Sequence, residues 1–272
     1  MSNPMGSVGQ GPTTVEPEGV LEKPPSRADA LEATWLEFYR RAGESPRHPA
    51  ARDFLHRDLT TALARLVPGD ASVLEVGCGE GDLLAALPNT RRKGSDYLPE
   101  VIGRARARHP EIAFEVADAT AEPLASLDRF DAVICDRLCH SVLDIKALLV
   151  GLKRQLAPGG RIYLTAFSTL WEVPVRLAEI AGLKRPAPTA NWLSDSDFRN
   201  LYEIAGLEVV RYEDRLLLPI DVPGLSTALN RYLVRAPGMK HASLYRIYVL
   251  RDRGAAAVAR RASVSVIVPT RN

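Results

Sequence analysis

Short apolar runs alternate with helical segments between residues 72 and 165, and this alternation limits the possible folds more than any other feature. Such an alternation is typical of βαβ units that build a parallel sheet. The strands predicted there cover residues 72–76, 92–95, 112–116, 132–135 and 161–165. The helices predicted between them cover residues 81–86, 98–108 and 145–156.

Two β-rich runs, residues 207–217 and 243–251, follow later in the chain. They are predicted to form the far edge of the same sheet. The sequence therefore predicts an α/β fold with a seven-stranded, mostly parallel sheet and helices on both faces.

A glycine-rich turn follows the first predicted strand, with Gly77, Gly79 and Gly81 at alternate positions. Glycines let the chain turn sharply and leave bare backbone against which a ligand can lie. A nicotinamide or flavin enzyme would more often show G-x-G-x-x-G, with a helix N-terminus facing a pyrophosphate. Here a carboxylate, Glu75, stands two residues before the first glycine. That acid suits a ligand with an ammonium group and a sulfonium better than a diphosphate.

Two further acids stand at the ends of the next two predicted strands. Asp96 comes nineteen residues after Gly77, where a carboxylate can hold the hydroxyl groups of a ribose. Asp118 follows the third strand, in a position to contact an adenine amino group. A single acid at a strand end is usually a turn former or a helix cap. Three motifs in this order, however, converge on the crevice where open α/β sheets bind ligands.

With these motifs, residues 70–165 resemble the class I S-adenosylmethionine-dependent methyltransferase family, which has a Rossmann-like fold. In that family the glycine-rich turn carries the methionine part of the cofactor, and the acids after the second and third strands contact ribose and adenine. The resemblance implies S-adenosylmethionine as cofactor and S-adenosylhomocysteine as product. The cofactor-binding residues that it implies are Glu75, Gly77, Cys78, Gly79, Gly81, Asp96, Tyr97, Asp118, Ala119 and Asp136.

The segment after the fourth predicted strand, residues 135–141, should face the transferred methyl group. Methyl transfer from a sulfonium is an in-line displacement, so holding the acceptor in line supplies much of the acceleration. His140 is predicted as a catalytic general base, with packing or hydrogen bonding as the alternative. Asp136 is the second candidate catalytic residue, because it can orient a substrate or bridge to the cofactor. Arg137 either pairs with an anionic acceptor or forms a surface salt bridge, and Cys139 is expected to be buried.

The methyltransferase domain is predicted to span residues 28–252, and its flanking segments have separate roles. Residues 1–27 are predicted to be a disordered tail, since burial of so few apolar side chains cannot offset the cost of ordering. Residues 28–66 contain two amphipathic helices, of which the first is either a lid over the site or plain core. Insertions at residues 166–192 and 219–242 are expected to form a small acceptor-side cap. Their basic side chains form either a solvated rim or a site for an anionic acceptor.

The C-terminal residues 253–272 do not fit into the predicted sheet. Residues 253–261 are small and basic and look like a linker, whereas residues 262–272 resemble the opening strand of family 2 glycosyltransferases. The alternative is an edge strand or a tail. A fusion to a glycosyltransferase domain would favour a sugar or a lipid-linked glycan as the methyl acceptor.

Charge balance and cysteine content limit the kinds of molecule that the chain is expected to bind. The chain has 35 basic and 33 acidic residues, spread along its length, so no nucleic acid is expected as a partner. Three irregularly spaced cysteines favour a reducing cytoplasm and do not indicate a metal site. No membrane span is predicted, and the sequence makes no prediction of the oligomeric state.

The leading hypothesis is methyl transfer to a small-molecule or glycan-like acceptor at oxygen. The alternatives are a non-catalytic cofactor-binding module and a nucleotide-cofactor oxidoreductase.

Overall fold

A computed structural model of the chain describes residues 27–42, 49–120, 128–182, 191–236 and 238–254. The predicted tail lies outside these ranges except for Arg27, and the glycosyltransferase-like segment lies outside them entirely. Both therefore stay predictions. None of the described helices is long and apolar enough to cross a membrane.

The ends of the strands in the sheet position the candidate site. The strands among the described residues are β1 (Val73–Val76), β2 (Arg92–Asp96), β3 (Ala113–Val116), β4 (Phe130–Asp136), β5 (Leu156–Phe167), β6 (Leu207–Arg215) and β7 (Tyr245–Asp252). They lie side by side in the order β3-β2-β1-β4-β5-β7-β6. The first five strands pair in parallel, whereas β7 runs antiparallel between β5 and β6. The predicted seven-stranded, mostly parallel sheet is confirmed.

Helices cover both faces of the sheet. The described α-helices of four or more residues are α1 (Arg27–Ala42), α2 (Pro49–Leu66), α3 (Asp82–Ala85), α4 (Pro99–Arg108), α5 (Ile145–Arg154), α6 (Glu172–Ile180) and α7 (Asp195–Ile204). Apolar side chains of α2, α3 and α4 belong to one buried cluster, and those of α5 and α7 belong to another. In α5 the buried positions Ile145, Leu148, Leu149 and Leu152 form one stripe, which is the spacing that buries a helix face.

The structure differs from the prediction in several places: helix α5 ends at Arg154 rather than at residue 156, and helix α6 was not predicted. Strand β5 is longer than the predicted residues 161–165, because its first residues pair with β4 before a register shift. Helix α7 was not predicted, although Ser194 and Asp197 form a capping box at its start. That pattern of a serine followed three residues later by an acid is a recognised signal for a helix N-terminus.

Helix α2 packs on the domain, and α1 contacts the domain through an ion pair. The guanidinium of Arg40 on α1 pairs with Glu100 on α4 at 2.8 Å. Asp58 on α2 accepts hydrogen bonds from Arg215 on β6 and from the Tyr245 hydroxyl on β7. The side chain of Trp35 lies outside the described residues, so the lid interpretation of α1 stays a prediction.

Candidate active site

The candidate site lies where β1, β2 and β4 end next to one another. These are neighbouring parallel strands, about 4.8 Å apart. Glu75 precedes the last residue of β1, Asp96 ends β2 and Asp136 ends β4. The fold therefore brings together three carboxylates that are far apart in the sequence.

The glycine-rich turn has the left-handed backbone that its sequence predicts. Gly79 and Gly81 have φ values of 55° and 83°. A Cβ on Gly81 would lie 2.6 Å from Phe114 Cζ, whereas a Cβ on Gly79 would meet no atom of the described residues within 4 Å apart from its chain neighbours. Gly81 is therefore required for packing, while Gly79 leaves open space above the turn, as a ligand cradle would.

Cys78 lies in the same turn but points into the core. Its side chain is buried, and burial raises the pKa of the thiol. A thiol of raised pKa is largely protonated and unreactive at neutral pH. Cys78 therefore contributes packing and backbone to the turn.

Glu75 is a buried acid, and one of its carboxyl oxygens has no hydrogen-bond partner among the described residues. Only 3% of the residue is exposed, and the oxygen concerned is Oε2. Burial raises the pKa of this carboxyl well above its usual value, and the carboxylates of Asp136 and Asp96 raise it further. A buried anionic group of this kind is costly unless a cation or hydrogen-bond donor is supplied.

Asp96 connects the end of β2 to the glycine-rich turn. Its Oδ2 accepts a hydrogen bond from the Gly79 N–H at 3.1 Å, and its Oδ1 accepts one from the Leu98 N–H at 3.1 Å. Burial raises the pKa of Asp96, and these backbone N–H groups oppose the rise. The carboxylate is thus fixed in orientation, and the half-buried Tyr97 follows it directly.

Asp118 is exposed and closes a local turn after β3. Its Oδ1 accepts hydrogen bonds from the Thr120 N–H and the Thr120 hydroxyl, both at 2.8 Å. This geometry is that of a turn former. Ala119 beside it packs against a core cluster. The contact with adenine stays a prediction.

The Asp136 carboxylate is held in place by the side chains of Thr165 and Arg137. The sequence did not predict this arrangement. The Thr165 hydroxyl donates to its Oδ1, and the Arg137 Nε donates to its Oδ2 at 2.9 Å. Arg137 has a φ of 54°, which is unusual for a residue other than glycine and is common where function holds the backbone in a strained form. Thr165 could have been found, because it is the polar residue opposite Asp136 in the β4–β5 pairing.

His140 is buried, and both of its ring nitrogens are engaged. Nδ1 lies 2.7 Å from the Asn191 carbonyl oxygen, and the Phe167 N–H donates to Nε2 at 2.9 Å. Burial is the main cause that lowers the pKa of the ring, so the neutral form is favoured. The geometry favours the hydrogen-bonding alternative for this residue over the general base.

Two cavities lie at opposite edges of the sheet. One of about 380 Å³ adjoins Phe167 at the end of β5, and its lining includes Asp195, Arg246 and Tyr248. The other, of about 390 Å³, is lined by residues such as Arg129, Lys153 and Asp252 and contains none of the predicted site residues. The first cavity shares an edge of the sheet with the three carboxylates.

Comparison with known proteins gives the family. Residues 48–212, more than half of the chain, match the family described as a methyltransferase domain. The chain is a class I S-adenosylmethionine-dependent methyltransferase. It is 29% identical over 182 residues to a ubiquinone biosynthesis O-methyltransferase of Xanthomonas axonopodis pv. citri, covering 57% of this chain and 73% of that protein.

Solved structures of methyltransferases share the fold. A Thermotoga maritima methyltransferase, described as a possible histamine N-methyltransferase, superposes with a TM-score of 0.60 at 16% identity, over 81% of this chain and 99% of that one. The magnesium protoporphyrin IX methyltransferase of Synechocystis PCC 6803, solved with bound S-adenosylhomocysteine, gives a TM-score of 0.52 at 18% identity, over 82% and 97% of the two chains.

The residues present fit S-adenosylmethionine, the cofactor of this methyltransferase. The Glu75 carboxyl, whose Oε2 has no partner among the described residues, suits the ammonium group of the methionine part, and the space above Gly79 admits a ligand against bare backbone. The described residues contain no group of three or more histidine, cysteine or acidic side chains that could hold a metal ion.

Proposed function

We propose that this methyltransferase transfers the methyl group to an oxygen atom of a small-molecule acceptor. One observation supports the acceptor side: Phe167, the last residue of β5, lies two residues after Thr165, whose hydroxyl bonds to Asp136, and its ring centroid lies 6.5 Å from that of Trp192. The cavity of about 380 Å³ beyond Phe167 leaves room for a small molecule. The O-methyltransferase activity in the name of the Xanthomonas relative supports oxygen as the accepting atom.

On the cofactor side, we assign roles to the predicted acids according to their positions in the fold. Glu75 binds the ammonium group, and Asp96 binds the ribose hydroxyls with a carboxylate already oriented by Gly79 and Leu98. Asp118 and Ala119 lie on the adenine side. The cofactor supplies a methyl group activated by a sulfonium, so the protein has mainly to hold the acceptor in line.

Asp136 is the carboxylate that orients the acceptor. Thr165 and Arg137 fix its position, so it can accept a hydrogen bond from the acceptor hydroxyl without reorganising. Arg137 also lies over the Phe167 ring, with its Cζ 5.8 Å from the ring centroid. When the acceptor oxygen attacks the methyl group, the hydroxyl proton passes to Asp136 along the hydrogen bond between them, and the positive charge of Arg137 stabilises the negative charge that develops on the oxygen.

The test is transfer of labelled methyl groups from S-adenosylmethionine to three acceptor panels: phenols, sugars including polyprenyl-linked ones, and amines. Product analysis by mass spectrometry and NMR should show methyl ethers. The matched control is Gly79→Val, which should abolish transfer because its side chain fills the open space above the turn. Products methylated only at nitrogen or carbon would refute the proposal.

The choice between phenol and sugar panels bears on the C-terminal residues 262–272. Methylation confined to sugars or polyprenyl-linked sugars would support a glycan acceptor and the glycosyltransferase-like reading of that segment. Methylation confined to phenols would favour an acceptor of the kind that the Xanthomonas relative's name indicates.

A further inference from the structure

We propose that His140 is a neutral positioning residue that joins three segments of the acceptor side, and that its protonation separates them. The inference rests on the proposed function in one respect, because it takes Phe167 and Trp192 as the wall of the acceptor pocket. We call His140, Asn191, Phe167 and Trp192 the His140 junction.

The hydrogen bonds of the ring fix its tautomer. The Phe167 N–H can only donate, so Nε2 must be the unprotonated acceptor. The Asn191 carbonyl oxygen can only accept, so Nδ1 carries the proton. Both nitrogens are therefore engaged with backbone groups, and neither is left to remove a proton from an acceptor.

Asn191 closes the junction from the other side. Its backbone N–H donates to the His140 carbonyl oxygen at 3.1 Å. Its side-chain Nδ2 donates to the carbonyl oxygens of Cys139 and Val142 at 3.2 and 2.7 Å. Residues 191–194, which precede α7, are thus tied to the loop after β4, whose first residues are in the proposed reacting centre.

The aromatic side chains pack around the same ring. The His140 ring centroid lies 5.4 Å from that of Phe167 and 5.8 Å from that of Trp192, and the two aromatic rings are 6.5 Å apart. Phe167 stands two residues after Thr165, whose hydroxyl bonds to Asp136. The junction therefore sets the position of the aromatic wall relative to the carboxylate that orients the acceptor.

Protonation of the ring would oppose this arrangement. A proton on Nε2 would face the Phe167 N–H, so a hydrogen bond would be replaced by two donors in contact. The charged neighbours are Arg137, which disfavours a positive ring, and Asp136, which favours it. Burial is the largest cause and lowers the pKa of His140, so the junction is intact at neutral pH and opens as the pH falls.

The first experiment needs no acceptor. Nitrogen-15 NMR of the full chain should show the Nδ1–H tautomer of His140 at neutral pH and a titration midpoint below the ordinary value of about 6.5. The Trp192 indole signal, assigned with Trp192→Phe, should shift with the same midpoint. An Nε2–H tautomer, or a Trp192 signal that does not follow the titration, would overturn the proposal.

The second experiment separates positioning from base catalysis, using the best acceptor of the panels. His140→Ala and Asn191→Ala should each raise KM for the acceptor about tenfold or more and leave the Kd of S-adenosylhomocysteine within about twofold. His140→Gln has no basic nitrogen but can accept from the Phe167 N–H, and it should recover most of the loss. An equal fall in kcat of about 100-fold in both His140 variants, relieved at high pH, would show a general base instead.

A matched control comes from the other side of the sheet. Asn89 is buried, and its Nδ2 donates to the carbonyl oxygens of Pro68 and Ala71 at 2.8 and 2.9 Å, much as Asn191 does to its loop. Asn89→Ala should lower stability without changing KM for the acceptor. If it raised KM as much as Asn191→Ala does, the effect would be one of general stability and the positioning role would be lost.

Discussion

Replacing Glu75 with glutamine should have opposite effects on the stability of the free protein and on cofactor affinity. The carboxyl is buried, has no partner at Oε2 among the described residues and faces the carboxylates of Asp96 and Asp136. Its pKa in the folded state is raised, so the folded state binds a proton that the unfolded state releases above its ordinary pKa of about 4.3. Folding stability is therefore lost as the pH rises from that value toward the raised pKa.

Glutamine has the shape of the protonated acid and cannot ionise. The difference in unfolding free energy between Glu75→Gln and wild type should grow by up to about 1.4 kcal/mol per pH unit, in favour of the variant. Denaturant titrations at two pH values, about 5.5 and about 7.5, measure this slope, because all other titrating groups are shared.

The affinity for the cofactor should change in the opposite direction and fall in the variant. Loss of a charge-assisted hydrogen bond to the ammonium group costs about 1.5–3 kcal/mol, which is roughly a 10- to 150-fold rise in the Kd of S-adenosylhomocysteine. Wild-type affinity should also increase with pH over the same interval, whereas that of Glu75→Gln should stay flat. Glu203→Gln, an exposed position on α7, is the control and should change neither quantity. A variant less stable than wild type at the higher pH, or one that binds S-adenosylhomocysteine normally, would refute this account of Glu75.

Three further predictions concern the turn, the ribose acid and the C-terminal segment. Asp96→Ala should weaken S-adenosylhomocysteine binding in calorimetry by about 1.5 kcal/mol or more, and unchanged affinity would remove the ribose assignment. Gly79→Ala and Gly81→Ala should each lower stability by about 1–2 kcal/mol, because alanine disfavours the left-handed backbone at both positions. Only Gly81→Ala adds a clash with Phe114, so thermal denaturation should show a larger fall in melting temperature for that variant. Deletion of residues 254–272 should leave the melting temperature and cofactor affinity almost unchanged, and a large drop would show that the segment belongs to this domain.

The sheet could be predicted because each of its strands carries its own local signal. Residues 73–76 and 132–135 are short apolar runs bounded by glycines or acids, and the structure has strands at both places. The ends were less predictable, because pairing with a neighbour rather than composition extends β5 to Leu156. The capping box of α7 is visible in the sequence and indicates a helix start, although the apolar periodicity alone did not predict this helix.

The meeting of Glu75, Asp96 and Asp136 at one edge of the sheet could be predicted for the same reason, since each acid follows from a local strand signal, while their roles toward the cofactor stay predictions. The contacts of Asn191 could not. Thr165 follows from strand pairing, because it lies opposite Asp136, 29 positions away, whereas Asn191 contacts residues 49, 51 and 52 positions away, and no spacing rule encodes such contacts. The role of His140 depends on two backbone groups that its own sequence neighbourhood does not contain.

The order of the strands in the sheet determines when each strand can pair during synthesis. Strand β6 is made before β7, yet β7 lies between β5 and β6 in the finished sheet. Strand β5 ends at Phe167, whereas β7, the strand that pairs with its free edge, begins only at Tyr245. At about 5–20 residues per second, the ribosome would need roughly 4–16 s to supply that partner. During this interval an apolar strand edge with Ile162 and Leu164 is open to pairing with other chains, so the nascent protein should depend on chaperones most strongly just before β7 emerges.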